Sequence, residues 1–203
     1  HGVVAVDARV TIENVSPTAG RYDHMAIHPY PSHLISSWIV PDGTRVTIRP
    51  IRPEDAELEV AFMSGLSAET RYYRFMNTIR ELPPAMVARL TQIDYFREMA
   101  FIATLDVDGV ETEIGVSRYA VNPDGESCEF AVVVADAWQH RGLARKLMTV
   151  LIETARSRGL QYMNGVFLAN NERMLKFVQK LGFVLSNDPE DSTVKLGVLE
   201  LQD

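Results

Sequence analysis

The chain changes hydrophobic period several times, and each change predicts an element. Residues 45–51, RVTIRPI, alternate polar and apolar positions as a half-buried strand does. The turn signal Pro41-Asp42-Gly43 precedes them, after a strand at Trp38–Val40. Pro53-Glu54-Asp55 places a proline and two acids where a helix begins, which predicts a helix to about Leu66. A short helical stretch, AETRYYRFM, follows, and Pro83-Pro84 opens another, AMVARLTQI. The period then shortens to that of strands at 98–106, 112–121 and 128–136, the first two joined through the hairpin signal Asp108-Gly109. A helix from Leu143 to Ser157 carries Leu143, Ala144, Leu147, Met148, Leu151 and Ala155 on one stripe and closes at Gly159. The strand QYMNGVFLA, the helix NERMLKFVQKL with Gly182 after it, and a last strand VKLGVLELQ complete the chain.

The N-terminal part reads differently. HGVVAVDARVTI has the pattern of a buried strand, and residues 13–34 are rich in proline, glycine and polar residues without a period. The expectation is therefore a remnant and linker over 1–34, a folded domain over 35–203, and an origin as the C-terminal piece of a longer protein.

Composition narrows the functional classes. A chain of 203 residues, 46% hydrophobic and 23% charged, suits one α/β domain of ordinary globular make-up. The net charge of −7 argues against nucleic acid as a partner and leaves open one that presents cations, such as lysine side chains. One cysteine, Cys128, excludes an intramolecular disulfide and suits a reducing cytoplasm. No apolar run is long enough to span a membrane, so none is expected as a partner. The five histidines show no metal-ligand pattern, because Pro29 and Pro31 disrupt the helical reading of His24 and His28.

The junction QHRGLA, residues 139–144, carries the candidate chemistry. It joins the valine strand CEFAVVVAD to the amphipathic helix, so the unpaired N–H groups and positive dipole end of that helix face outward where the strand ends. Gly142 permits close approach of a ligand, with Gln139, His140 and Arg141 around it, a setting suited to pyrophosphate. A plain strand–loop–helix turn is the alternative. Neither GxxxxGK[ST] nor GxGxxG occurs, which disfavours an ATPase and a Rossmann dehydrogenase.

Gln139-His140-Arg141-Gly142-Leu143-Ala144 resembles the Q/R-x-x-G-x-G/A signature of the GNAT family of N-acetyltransferases, and NNERMLKFVQKLGF resembles that family's asparagine-to-GF segment. The resemblance covers about 42–203 and implies a mixed, mostly antiparallel central sheet flanked by helices, with acetyl-CoA as co-substrate and no metal. RPIRPEDA, EFAVVVADAWQHRGLA and MAIHPYPSHL more closely resemble bacterial protein lysine acetyltransferases fused to an acyl-CoA synthetase-like, ATP-grasp-containing region. GVVAVDARV would then be the tail of that region.

The resemblance implies roles for residues. Glu129 matches the strand glutamate that serves as general base, and an extended chain from it to Val134 spans roughly 16 Å, comparable to a pantetheine arm. A lysine ammonium of pKa about 10.4 needs such an acceptor before it attacks a thioester. The alternative for Glu129 is a solvated strand-end acid paired with an arginine, and Glu126 and Glu111 are the other candidate bases. The backbone of Val132, Val133 and Val134 is expected to bind the cofactor arm, with an N–H near Val132 facing the oxyanion. Leu143, Ala144 and Arg145 complete the pyrophosphate loop. Asn170 or Asn171 is expected to contact the arm, Asn171 by alignment, while a helix N-cap is the alternative role. Where many members carry a thiolate-protonating tyrosine this chain has Val178, beside Phe177, so no dedicated general acid is expected. Cys128 is expected to be a core thiol, and Tyr72, Tyr73 and Arg74 are either acceptor-groove or packing residues.

The implied function is a protein Nε-lysine acetyltransferase working by direct transfer, with metabolic enzymes such as acyl-CoA synthetases as acceptors. A small-amine or N-terminal acetyltransferase and a non-catalytic acyl-CoA-sensing module are the alternatives.

Overall fold

The computed structural model describes residues 28–77 and 81–202. Eight strands form one sheet in the order β1-β2-β3-β4-β5-β6-β8-β7. They are β1 (Ser36–Ile39), β2 (Arg45–Pro50), β3 (Glu98–Val107), β4 (Val110–Val121), β5 (Ser127–Val134), β6 (Tyr162–Leu168), β7 (Val184–Asn187) and β8 (Val194–Glu200). Every neighbouring pair is antiparallel except β5 and β6, so the expected mixed, mostly antiparallel sheet is what forms. Helices α1 (Ala56–Gly65), α2 (Ala68–Phe75) and α3 (Pro84–Thr91) precede β3, and α4 (Leu143–Ser157) and α5 (Glu172–Lys180) flank β6. Strand β7 is not anticipated by the sequence reading. Its four residues follow Gly182 and look like the tail of a helix cap, and pairing with β8 is what makes them a strand.

Each sheet face has its own core. On one, α4 buries Leu143, Leu147, Met148, Leu151, Ile152 and Ala155 against Val132, Val134, Phe130 and Cys128 of β5. Burying one such leucine contributes about 1.5–3 kcal/mol, so this stripe rather than helix propensity holds α4 in place. On the other face Phe62 and Met63 of α1 pack on Ile102, Val116 and Val133. The start of α1 is fixed by Arg49, whose guanidinium donates to both carboxylate oxygens of Asp55 at 2.7 Å in a buried pair. Asp55 in turn accepts from the Arg52 N–H at 2.6 Å.

The end of the stretch read as linker docks on this domain. Tyr30 donates its hydroxyl to Pro50 O at 3.0 Å and meets Tyr95 edge-on, while His28 stacks on Phe96. The strand expected near the N-terminus, and most of residues 1–34, lie outside the described residues.

Strands β5 and β6 pair only at Ser127–Tyr162, Cys128–Met163 and Glu129–Asn164, although both run on for several residues. Where they part, Phe130 packs on Phe183 and Phe167 with ring centroids 5.0 and 5.9 Å away. Glycine makes room for these rings: a Cβ on Gly165 would lie 2.5 Å from Phe167 and 2.6 Å from Phe130. Gly165→Ala should therefore destabilise the domain by about 1–3 kcal/mol through overpacking, measured by urea unfolding. An unchanged midpoint would show that the rings are free to shift.

Candidate active site

The parted strands open a groove of about 720 Å³ whose walls are the end of β5, the loop into α4, the start of α5 and one side of α2. Alternation along β5 decides which backbone groups face it. Ala135 donates its N–H to Ile114 O on the β4 side, so Val133 also faces β4, where it pairs with Val116. Val132 and Val134 then turn their N–H and C=O groups toward the gap left by β6. All three valines line the groove, but only Val132 and Val134 present backbone groups to it.

The loop that follows is shaped by left-handed backbone at His140 (φ 63) and Gly142 (φ 86). Glycine carries the second of these without the strain a Cβ imposes. Gly142 occupies the N-cap position of α4 and offers no side-chain cap, so the first-turn N–H groups of Leu143, Ala144 and Arg145 remain available to an anion. Gln139, His140, Gly142, Leu143, Ala144 and Arg145 all line the groove. Arg141 does not. Its guanidinium pairs with Asp42 at 2.9 Å and lies 4.8 Å above the Trp138 ring, bracing the loop against the β1–β2 turn.

On the opposite wall Asn170 and Asn171 both line the groove. The Asn171 carboxamide oxygen accepts from Met174 N at 3.1 Å, so Asn171 is the N-cap of α5 and only its amide nitrogen is left to reach a ligand. Phe177 lines the groove and Val178 is fully buried, and neither side chain can protonate a leaving group.

Sequence reading left Tyr72, Tyr73 and Arg74 of α2 open between groove and packing roles, and did not find what holds that helix in place. Asp136, two residues past β5, accepts from Ser67 N at 2.8 Å, Ser67 Oγ at 2.9 Å and Thr70 Oγ1 at 2.6 Å. Burial opposes its ionisation, but these donors hold the carboxyl below the ordinary range. Ser67 is itself the N-cap of α2, so this contact fixes the helix to the groove. Thr70, Tyr73 and Arg74 consequently line it, as do Arg173 and Lys180 of α5. The signal available in the sequence was Ser67 and Thr70 with capping spacing, but nothing local to them names Asp136.

Glu129 is exposed and sits at the last paired position before the strands part, beside the groove rather than among its lining residues. It makes no ion pair within 4.0 Å among the described residues. Arg74 nevertheless feels its charge: burial and then Arg118 pull the Arg74 guanidinium down to about 10, while Glu59 and Glu129 act against them. The other two candidate bases are placed differently. Glu111 pairs with the Arg49 guanidinium at 3.1 Å, and Glu126 lies in the exposed turn before β5. Cys128 points into the core on the far face, where burial pushes its thiol up to about 12 and leaves it inert as a nucleophile.

These features together suit an extended, phosphate-bearing ligand. The chain matches the model described as the acetyltransferase (GNAT) domain over residues 45–184. It belongs to the GNAT acetyltransferase family. An acetyltransferase of Pseudomonas aeruginosa is 45% identical over 152 residues, which is 75% of this chain and 82% of that protein. The acetyltransferase Pat of Mycolicibacterium smegmatis is 30% identical over 138 residues, 68% of this chain but only 40% of that longer protein. The crystal structure of the GNAT domain of S. lividans PAT superposes with a TM-score of 0.76 at 27% identity, covering 85% of this chain and 99% of that one. This GNAT chain is thus an N-acetyltransferase, and its family uses acetyl-CoA. The residues fit that substrate: an uncapped helix start and cationic side chains for phosphate, then open backbone groups on β5 for amides. No group of three or more metal-ligating side chains occurs among the described residues, and no helix among them is long and apolar enough to cross a membrane.

Behind the groove two carboxyls are buried together. Glu59 of α1 and Glu113 of β4 receive no hydrogen bond from any other described residue and can bond only to each other, and of the two the Arg118 guanidinium pairs only with Glu59, at 3.6 Å. Two adjacent buried carboxylates cannot both ionise at ordinary pH, so one proton stays with the pair. Burial and then the neighbouring Glu59 push Glu113 well above the usual carboxyl range. Its folded pKa is raised, so its contribution is fully present below the unfolded value and is lost as pH rises toward the folded one. Glu113→Gln should remove that loss: its stability relative to the unaltered chain should grow between pH 5 and pH 8 in urea titrations. Parallel pH dependences for the two proteins would show that Glu113 ionises normally.

Proposed function

We propose that this chain is an acetyl-CoA-dependent protein Nε-lysine acetyltransferase acting by direct transfer, with Glu129 as general base. The carrying observation is the position of Glu129 at the vertex where β5 and β6 part, exposed and without an ion pair among the described residues. A donor lying along the open backbone of Val132 and Val134 brings its thioester toward that vertex. There the carboxylate accepts the proton of the incoming amine, directly or through water. In this reading the Val132 N–H, directed into the same gap, donates to the carbonyl oxygen as it gains negative charge. With Val178 buried and Phe177 apolar, the thiolate leaves without a dedicated acid, which its pKa of about 8.5 permits.

A protein acceptor is supported by the likeness to Pat of Mycolicibacterium smegmatis and to the GNAT domain of S. lividans PAT. Acyl-CoA synthetases and other metabolic enzymes of a bacterial cytoplasm are the acceptors we favour, and residues 1–34 read best as the tail of an ATP-grasp-like region plus a linker. Because the net charge is −7, a lysine-bearing surface is attracted rather than repelled.

Labelled acetyl-CoA and a purified acyl-CoA synthetase test the proposal, with modified lysines located by mass spectrometry. Glu129→Gln should lower the transfer rate by about 10²–10⁴-fold while leaving acetyl-CoA binding intact. Labelling of small amines or of protein N-termini instead of lysine would replace the acceptor class, and binding without any transfer would make the chain a sensor. In a thermal-shift titration Gly142→Asp should abolish the stabilisation that acetyl-CoA gives the unaltered chain, since it sets a carboxylate against the phosphates.

A further inference from the structure

The two sheet faces are covered unequally. Helices α4 and α5 lie on one face. On the other, the buried cluster under α1 draws its strand residues from β3, β4 and β5 and none from β6, β7 or β8 among the described residues. The outer third of that face therefore carries side chains in water. Val184 is 74% exposed, Val198 42%, Tyr162 40% and Val166 36%.

Strand register shows where this face leads. Glu129 pairs with Asn164, Asn164 with Val198, and Val198 with Val184, so these four residues form one cross-strand row. The next row on the same face continues Tyr162 to Glu200, which is also exposed. One residue beyond the candidate base, past Asn164, an apolar platform thus runs to the sheet edge, with carboxylates at Glu129 and Glu200 beside it. A small amine needs only the vertex. A folded protein that offers a lysine there must rest on the neighbouring surface, and contiguous exposed apolar side chains bordered by acids suit that contact.

We infer that the helix-free face of β6, β8 and β7 is the docking surface for the acceptor protein, seating the apolar and basic surroundings of its target lysine. This rests on the lysine acetyltransferase reading above. It makes Val166, Val184 and Val198 determinants of protein acceptance that play no part in acetyl-CoA binding.

The test compares two acceptors, a purified acyl-CoA synthetase and Nα-acetyl-lysine amide, with the unaltered chain, with Val184→Arg, and with the paired change Val166→Thr and Val198→Thr. Arginine is not an acetyl acceptor and opposes a basic partner, and threonine keeps the branched shape that strands favour. The expected result is a fall of about tenfold or more in kcat/KM for the synthetase. Activity toward the amide, stabilisation by acetyl-CoA and the sedimentation coefficient should be unchanged. Equal activity toward the synthetase in all three proteins overturns the docking surface while leaving the function standing. A parallel loss toward both acceptors overturns it too, because the change would then act through the fold or the groove. A change in sedimentation with synthetase activity retained would make the face an interface between copies of this chain. Failure of the unaltered chain to modify the synthetase would overturn the proposed function itself, and the docking surface with it.

Discussion

The short pairing of β5 with β6 is the constraint on which the site depends. Three residue pairs join the strands, and beyond Glu129 each goes its own way. A continuous ladder would use the backbone groups of Val132 and Val134 to hold the sheet together. Because β6 departs, those groups face the gap, the Val134 carbonyl accepting there from the Gln139 side chain at 3.4 Å, and strand backbone without a ladder partner is a strong template for an extended one. The phenylalanines at the parting and the glycine that accommodates them give the divergence a packing basis. The vertex also sets how these groups are spaced, with the Glu129 carboxylate at its apex and the uncapped start of α4 at its mouth.

Contacts from distant parts of the chain keep this opening in shape. Asp136 holds the start of α2 beside the groove, and Asp42 holds Arg141 away from it. Arg49 and Asp55 anchor α1 over the sheet, which positions the short connection into α2. The pair is buried and bidentate, so removing either partner would leave an uncompensated charge. The Asp136 and Asp42 contacts are long-range and order loops, the Arg49–Asp55 pair is local and orders a helix start, and the hydrophobic cores alone would not specify where these segments lie. The shared proton of Glu59 and Glu113 belongs to the same layer, between α1 and β4.

Much of this was legible in the sequence. Leu143–Ser157 matches α4 because its apolar stripe and the glycines at both ends agree with one another. The strand alternation placed Glu129 and Cys128 on opposite faces, as found. What escaped depended on tertiary partners. Strand β7 is too short to show a period and exists through β8. Arg141 sits within the junction motif, yet its partner Asp42 is 99 residues away. The helical pattern of α2 was visible and a groove role for Tyr73 and Arg74 was one of two readings, but its anchor was not, since Ser67 and Thr70 take their bearings from Asp136, far along the chain. The parting of β5 and β6 is likewise a relation between two strands that neither sequence segment records.

Hydrogen exchange at individual amides, with and without saturating acetyl-CoA, tests the central claim most directly. The account predicts added protection at Val132 and Val134 of β5 and at Leu143 and Ala144 of α4, with Val133 little changed because it already faces β4. Protection that leaves these amides untouched while acetyl-CoA is bound would contradict it, and would mean that the parted strands are not where the donor lies.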